Sequence, residues 1–597
     1  MKIHWIDAAI IILYLATTIT IGFMLKKRAA KNLDSYFLGS KTLPWYLLGV
    51  SNASGMFDIT GTMWLVYLLF VYGLKSVFIP WLWPVFNQVF LMIYLSVWLR
   101  RSNVLTGAEW ITTRFGTDRG AKLSHISVVI FALVSVVGFL AYAFQGIGKF
   151  SAVFLPWDLP PETYALIFMG ITTVYVVMGG MFSVVLTEVI QFTVMTISSI
   201  VIGIIAFNQV SPEALNAVVP AGWKDIFFGW TLDLDWSGIM DSVNTKIAAD
   251  GWSLFTIFFM MVLFKGILIS IAGPAPNYDM QRILATRSPK EAAKMSGLVS
   301  VVLFFPRYLM ISGLTVLALV FFSPQLKAMG ANIDFEMILP YAINNFIPVG
   351  LMGVLLAGLL AAFMSTFAAT VNAAPAYIVN DIYKRYINPH ASDKRYIYMS
   401  YLSSLLIVIL GISFGFMTES INTVTQWIVS ALWGGYTAAN VLKWYWWRLN
   451  GYGYFWGMII GILMALFIPR LFPELTPLNA FPFILFGSTI GCITASLTTK
   501  PDDTEVLKNF YSRVRPWGFW KPIHDQVIAE NPNFQKNNEF KRDMFNVIIG
   551  IIWQTSLITL PIYIIIKAEL SGFTTFVILL ITSLILKKNW LDKLKDD

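Results

Sequence analysis

The chain has 597 residues, a formal net charge of +9 and a single cysteine. Only 13% of its residues are charged and 57% are apolar, with a mean hydropathy of +0.68, against about 25% charged residues in soluble globular chains. This is membrane-protein composition, and the lone Cys492 excludes an intrachain disulfide or a cysteine-based metal site.

Apolar runs long enough to cross a hydrocarbon layer of roughly 30 Å recur along the chain, and about 15 spans are predicted. They lie near 7–25, 44–72, 78–99, 124–150, 162–178, 183–207, 251–275, 297–321, 343–380, 396–416, 420–444, 453–471, 480–498, 544–566 and 571–587. The first span is not read as a signal peptide, because its basic stretch KKRAAK follows the apolar core instead of preceding it. With the N-terminus outside, the basic segments LRRSNV, QRILATRSPKEAAK, YKRYINPHASDKRY, 499–543 and the terminal KKNWLDKLKDD all fall on the cytoplasmic side. That is the pattern expected of a multi-pass protein of the cell (inner or plasma) membrane with a cytoplasmic C-terminus. The positive charge therefore reflects topology and a lipid bilayer, not nucleic acid.

Span 2 carries GVSNASGMFDITGTMW (49–64), which places Ser51, Asn52, Ser54 and Asp58 at mid-depth. Unpaired polar groups there cost several kcal/mol each. A helix break is predicted over Ser51–Gly55. Five spans later KGILISIAGPAPNYD interrupts span 7 with Gly266, Gly273, Pro274 and Pro276. Paired broken helices in two halves of opposite topology point to a transporter's binding site. Close helix packing is the other reading of such glycines and prolines. The predicted organisation is an N-terminal extra helix and inner loop (1–43), a first repeat of five helices (44–207), an outer loop (208–250) and a second repeat (251–445). Two extra helices (446–498), a polar cytoplasmic loop (499–543) and two C-terminal helices with a basic tail (544–597) follow.

The segment YVVMGGMFSVVLTEVIQ (175–191) resembles the signature of the sodium:solute symporter family, and DSYFLGSKTLPWYLLGVSNASG resembles the entry to that family's first core helix. VLTGAEWITTRFG, QRILATRSPKEA, NDIYKRY and WYWWRLNGYGYFWG resemble its inner-loop landmarks, in the same order. The resemblance implies an all-α LeuT-type core, a 5+5 inverted repeat with one helix before it and several after. It also implies Na⁺ as the coupling ion for a small polar organic solute: a sugar, a sugar acid, an amino acid or another organic anion.

By the same resemblance, the sodium ligands are the carbonyls of Val50 and Ala53 together with Ala362, Ser365 and Thr366. The last three share one helical face at i, i+3, i+4, and a hydroxyl pair in a membrane helix also serves as glue between helices. A second cation site in some members uses an acid after the Gly-Gly signature, here Glu188, and hydroxyls where this chain has Ala368 and Ala369. A methyl group cannot coordinate Na⁺, so Glu188 is expected to act as a charge or gate and one Na⁺ is expected per solute. At the positions the sugar-carrying members use, this chain has Phe57, Trp81, Gly273, Leu303 and Gln426. Only Gln426 fits, which disfavours a neutral hexose held in that way. The intramembrane charges Asp58, Lys265 and Arg307 are instead candidates for a charged solute group, or they pair with each other structurally. Candidate solute-binding residues are thus Ser54, Phe57, Asp58, Trp81, Lys265 and Gln426, with the aromatics Trp64, Trp427 and Tyr436 as gates.

A non-transporting solute sensor on the same fold is the alternative reading, and no signalling module is seen after residue 590. An enzyme is not expected. The four histidines are scattered and there is no P-loop or paired-acid constellation.

Overall fold

The computed structural model describes residues 4–82, 87–155, 157–330, 338, 349–418, 434–472, 474–475 and 477–596. Among these the chain is helical, with only two isolated β-bridges. Among the described residues eleven helices are long and apolar enough to cross a membrane, and a shorter apolar helix covers Phe255–Ile271. This differs from the predicted span count for local reasons. The 162–178 and 183–207 spans follow one another around a kink, the 44–72 span is divided in two, and the 78–99 span is a series of short helical pieces. Most of the 420–444 span lies outside the described residues.

The elements that build the centre are α1 (Trp5–Ala29), α2 (Trp45–Met56), α3 (Ile59–Tyr72), α4 (Arg119–Phe154) and α5 (Pro161–Gln209). They are followed by α6 (Phe255–Ile271), α7 (Tyr278–Ala285), α8 (Pro289–Met329) and α9 (Leu351–Ile378). The helix α9 is buried along almost its whole length and packs chiefly against α5, which also carries α1. Its run of Ala and Gly lets neighbouring backbones approach, the usual device where lipid supplies no hydrophobic drive between helices.

The break in span 2 falls later than predicted. Ser51–Gly55 remain helical, and α2 ends at Met56, where the Phe57 amide donates to the carbonyls of both Ala53 and Ser54. Asp58 then stands in extended conformation as the N-cap of α3, its Oδ2 accepting from Gly61 N at 2.6 Å. A carboxylate oxygen satisfies an orphan amide at a helix start, so the acid's place in the membrane has a backbone reason. The break in span 7 lies where it was predicted: Ala272–Asn277 is not helical, and Gly273 has φ +86°. The kink of α5 is at the Gly-Gly signature, where Gly180 takes φ 51°, ψ −153° and a Cβ would stand 2.8 Å from the Tyr36 carbonyl. Only glycine fits both the backbone angle and the space.

The two polar loops are folded. In the 208–250 segment Trp223 and Trp236 donate their indole N–H groups to the carbonyls of Phe70 and Val71 at the end of α3. In the 499–543 segment two helices, Thr504–Val514 and Lys521–Glu530, pack on the inner loops, tied by the buried Arg114–Asp502 pair at 3.4 Å.

Candidate functional site

The last turns of α2 face α5, α7 and α9. Ser365 donates to Ser54 Oγ at 2.8 Å, and Thr366 donates to the Gly55 carbonyl at 2.8 Å. Both predicted hydroxyls therefore meet the end of the first half-helix. They meet it one and two residues beyond Ala53, and four and five beyond Val50: the Ala53 carbonyl accepts from Phe57 N, and the hydroxyls are engaged with Ser54 and Gly55. The shift follows from the later helix break, since the carbonyls released at a helix C-terminus are those of its last four residues.

Glu188 is not an open carboxylate. Arg282 on α7 places Nη2 2.6 Å from its Oε1, and Ser51 donates to its Oε2 while accepting from Arg282 Nε at 2.8 Å. Both charged side chains are completely buried. Ser365 lies 3.5 Å from the same carboxylate, so this ion pair and the hydroxyl cluster form one network.

Beside the network is a cavity of about 160 Å³ lined by Asp58, Trp64, Asn87, Gln88, Tyr142, Asp279, Arg307 and Thr366 among others. Two carboxylates and one guanidinium sit on its wall. Asp58 accepts from Arg307 Nη2 at 3.0 Å and from the Tyr142 hydroxyl at 2.6 Å. Asp279 accepts from Asn52 Nδ2 at 2.6 Å and Asn87 Nδ2 at 3.3 Å, with Gln88 Nε2 at 3.5 Å. Arg307 Nε and the amide oxygens of Asn87 and Gln88 are buried without a hydrogen-bond partner. The cavity thus offers one unmet donor, Arg307 Nε, and two unmet acceptors, the Asn87 and Gln88 amide oxygens.

The structure sorts the predicted residues. Asp58 and Arg307 are brought together at the cavity, and Trp64 joins them. Ser54, Phe57 and Lys265 are buried but do not line it, and Lys265 pairs with no acid among the described residues. Tyr436 is stacked on Phe131 and donates to the Pro274 carbonyl. Gln426 and Trp427, and the side chain of Trp81, lie outside the described residues. Sequence reasoning missed Arg282, Asp279, Asn87, Gln88 and Tyr142. The available signal was the short helix after the span-7 break, which carries Asp279 and Arg282 within four residues. No group of three or more His, Cys, Asp or Glu side chains suited to a metal ion occurs among the described residues.

Residues 36–461 match the sodium:solute symporter family. This chain belongs to that family. Among its relatives, the sodium/mannose cotransporter SLC5A10 of Bos taurus is 26% identical over 497 residues, covering 77% of this chain and 78% of the relative. The sodium/glucose cotransporter of Vibrio parahaemolyticus is 23% identical over 546 residues, covering 84% and 92%. Among solved structures, a substrate-bound, outward-open Na⁺-coupled sialic acid symporter superposes with a TM-score of 0.67 at 18% identity, covering 84% of this chain and 99% of that one. The fold is therefore the LeuT-type all-helical fold. The protein is a multi-pass, Na⁺-coupled solute symporter of the membrane and not an enzyme.

Proposed function

We propose that this symporter couples one inward Na⁺ to the uptake of a small polar solute bearing a carboxylate, a sugar acid or an amino acid, by alternating access of the cavity beside α2. The N-terminus is placed outside and the C-terminus in the cytoplasm, on the distribution of Lys and Arg among the loops. The coupling ion is assigned to the end of α2 and the facing turn of α9: carbonyls of the Val50–Gly55 turn with Ala362, Ser365 and Thr366. Oxygens without full charge suit a dehydrated Na⁺ that must bind and leave in each cycle.

The solute class rests on Arg307. Its Nη2 holds Asp58, while its Nε is buried without a partner and the side chain lines the cavity. A carboxylate takes two parallel N–H bonds from a guanidinium edge, here the unmet Nε together with Nη2 once Asp58 gives it up. Asp58 tolerates the exchange, because Gly61 N and the Tyr142 hydroxyl continue to donate to it. The unmet amide oxygens of Asn87 and Gln88 then accept from hydroxyl or ammonium groups of the same solute. A neutral hexose, as named for the bovine and Vibrio relatives, would leave the Arg307 edge unused at a cost.

The test is Na⁺-dependent counterflow in proteoliposomes with labelled sugar acids, amino acids and neutral hexoses, in wild type and Arg307→Gln. Carboxylate-bearing solutes should exchange only with Na⁺ present and should lose that exchange in the variant. Hexose flux unaffected by Arg307→Gln would overturn the solute class, and binding without flux would overturn transport.

A further inference from the structure

A second cavity, of about 450 Å³, opens on the face that carries the basic loops. Arg100, Arg101, Arg287, Arg513 and Arg515 line it, and among the described residues the one carboxylate in its wall is Asp596 of the C-terminal tail. These residues come from four separate segments: the end of the Ser96–Arg101 helix, the turn before α8, the end of the Thr504–Val514 helix, and the tail. An excess of basic residues near a membrane follows from topology alone. Convergence of five guanidinium groups from distant segments onto one concavity does not, because like charges repel and are ordinarily dispersed.

Several of the arginines are held in place, Arg287 by donating to the Thr42 carbonyl. Arg100 donates to the Thr286 carbonyl at 2.7 Å, to Asn103 Oδ1 at 3.0 Å and to the Arg287 carbonyl at 3.2 Å, all neutral oxygens. The other acids that act on it, Asp34 and Glu291, are not in the cavity wall. Arg101 reaches the Val514 carbonyl at 3.1 Å and so joins the first pair of arginines to the second. Arg515 stands at φ 53°, a left-handed helix end that glycine occupies at less cost. Its Nε donates to the Ser512 carbonyl at 3.4 Å and its guanidinium lies 5.6 Å from the Phe534 ring centroid, which fixes the cation beside the hollow. Asp596 is held at the rim by the Ser288 hydroxyl at 3.2 Å and by Lys290 at 3.5 Å, and its side chain is 66% exposed. It is a weakly held carboxylate at the edge of an arginine-lined hollow, placed as a displaceable internal anion.

We propose that this hollow is a binding site for a multiply phosphorylated anion, with the tail carboxylate of Asp596 as its intramolecular competitor. Arginine forks match phosphate oxygens two at a time, and the volume suits a group carrying several phosphates. The same chemistry is offered by a phosphoinositide headgroup in the adjoining leaflet and by a soluble polyphosphate.

The experiment uses the full chain in three forms: wild type, Arg513→Gln/Arg515→Gly, and Asp596→Asn. Glycine at 515 relieves the left-handed strain, so the double variant keeps its fold while losing two cations. Tripolyphosphate is titrated against detergent-solubilised protein by calorimetry at constant ionic strength. Retention of phosphatidylinositol bisphosphate is measured by native mass spectrometry after release from nanodiscs of phosphatidylcholine with and without that lipid. Saturable binding should weaken about tenfold or more in the double variant and tighten several-fold in Asp596→Asn. Binding of tripolyphosphate identifies the soluble source, and retention of the lipid alone identifies the headgroup. Binding equal to that of chloride at matched ionic strength, or unchanged in the double variant, overturns the site.

Discussion

The Arg282 guanidinium lies against the Glu188 carboxylate with both side chains wholly buried, so a protein cation pairs with the acid that some family members are expected to use for a second cation. Removing one partner of a buried pair leaves an uncompensated charge and costs about 3–5 kcal/mol, whereas removing both is far less damaging. Glu188→Gln and Arg282→Gln should each lower the unfolding temperature in detergent markedly, and the double variant should recover much of the loss. A double variant no more stable than the worse single would show that the two residues act separately.

Ser365 and Thr366 reach the end of α2 through one hydroxyl each. Replacing both with Ala should raise the Na⁺ concentration for half-maximal uptake about tenfold or more, equivalent to about 1.4 kcal/mol. Solute affinity at saturating Na⁺ should change less, and Thr366→Ser should stay near wild type because it keeps its oxygen. Unchanged Na⁺ dependence in the double variant would falsify the ion-site assignment.

The two helix breaks were legible in the sequence because glycine, proline and polar residues interrupt two hydrocarbon-length runs five spans apart, a pairing that helix packing alone does not require. Their positions were less so. The Ser51–Gly55 stretch looked like the break, yet small polar residues are tolerated in a helix whose neighbours engage them: Ser51 bonds to Glu188 and Arg282, and Asn52 Nδ2 donates to Asp279. Those partners come from more than 130 positions away, and no local pattern encodes such a meeting. Asp58 was visible as an anomaly, but only the fold shows that its partner is Arg307 and not Lys265. The amides Asn87 and Gln88 follow a run of tryptophans and prolines that reads as packing.

The Asp58–Arg307 pair separates a structural role from a transport role. Asn caps a helix about as well as Asp, so Asp58→Asn should leave α3 and membrane insertion intact while leaving Arg307 without its counter-charge. Uptake should fall strongly. In Asp58→Asn/Arg307→Gln the protein should regain thermal stability but not transport, because the group that grips the solute is gone. Recovery of uptake in that double variant would make the pair a structural device and remove Arg307 from the site.

Arg307→Lys distinguishes a fork from a point charge. Lysine keeps the positive charge but loses the planar pair of donors. The solute KM should rise about tenfold or more, as expected for about 1.4 kcal/mol of lost binding, with a smaller change in maximal rate. The Na⁺ dependence should be preserved, since Thr366 and not Arg307 touches the end of α2. Equal KM in Arg307→Lys and wild type would mean that a diffuse positive charge is all the cavity supplies.

Stoichiometry and solute charge can be read from one set of measurements. Ala368 and Ala369 stand where a second ion would need hydroxyls, and Glu188 is already neutralised by Arg282. One Na⁺ per solute is therefore expected. For a solute of zero net charge, one ion entering down a tenfold gradient at about 100 mV supplies roughly 3.7 kcal/mol, a limiting accumulation of about 500-fold. For a monovalent anion the same cycle moves no net charge. The voltage contribution then cancels, leaving about 1.4 kcal/mol and an accumulation of about tenfold. Uptake of an amino acid zwitterion should thus carry current and respond to voltage, and uptake of a sugar acid should do neither. Uptake is followed in proteoliposomes over a series of Na⁺ gradients at clamped potentials. A zwitterion flux reversing at the square of the one-ion accumulation ratio, or a current accompanying a monovalent anion, would require a second Na⁺ and would mean that Arg282 vacates Glu188 during the cycle.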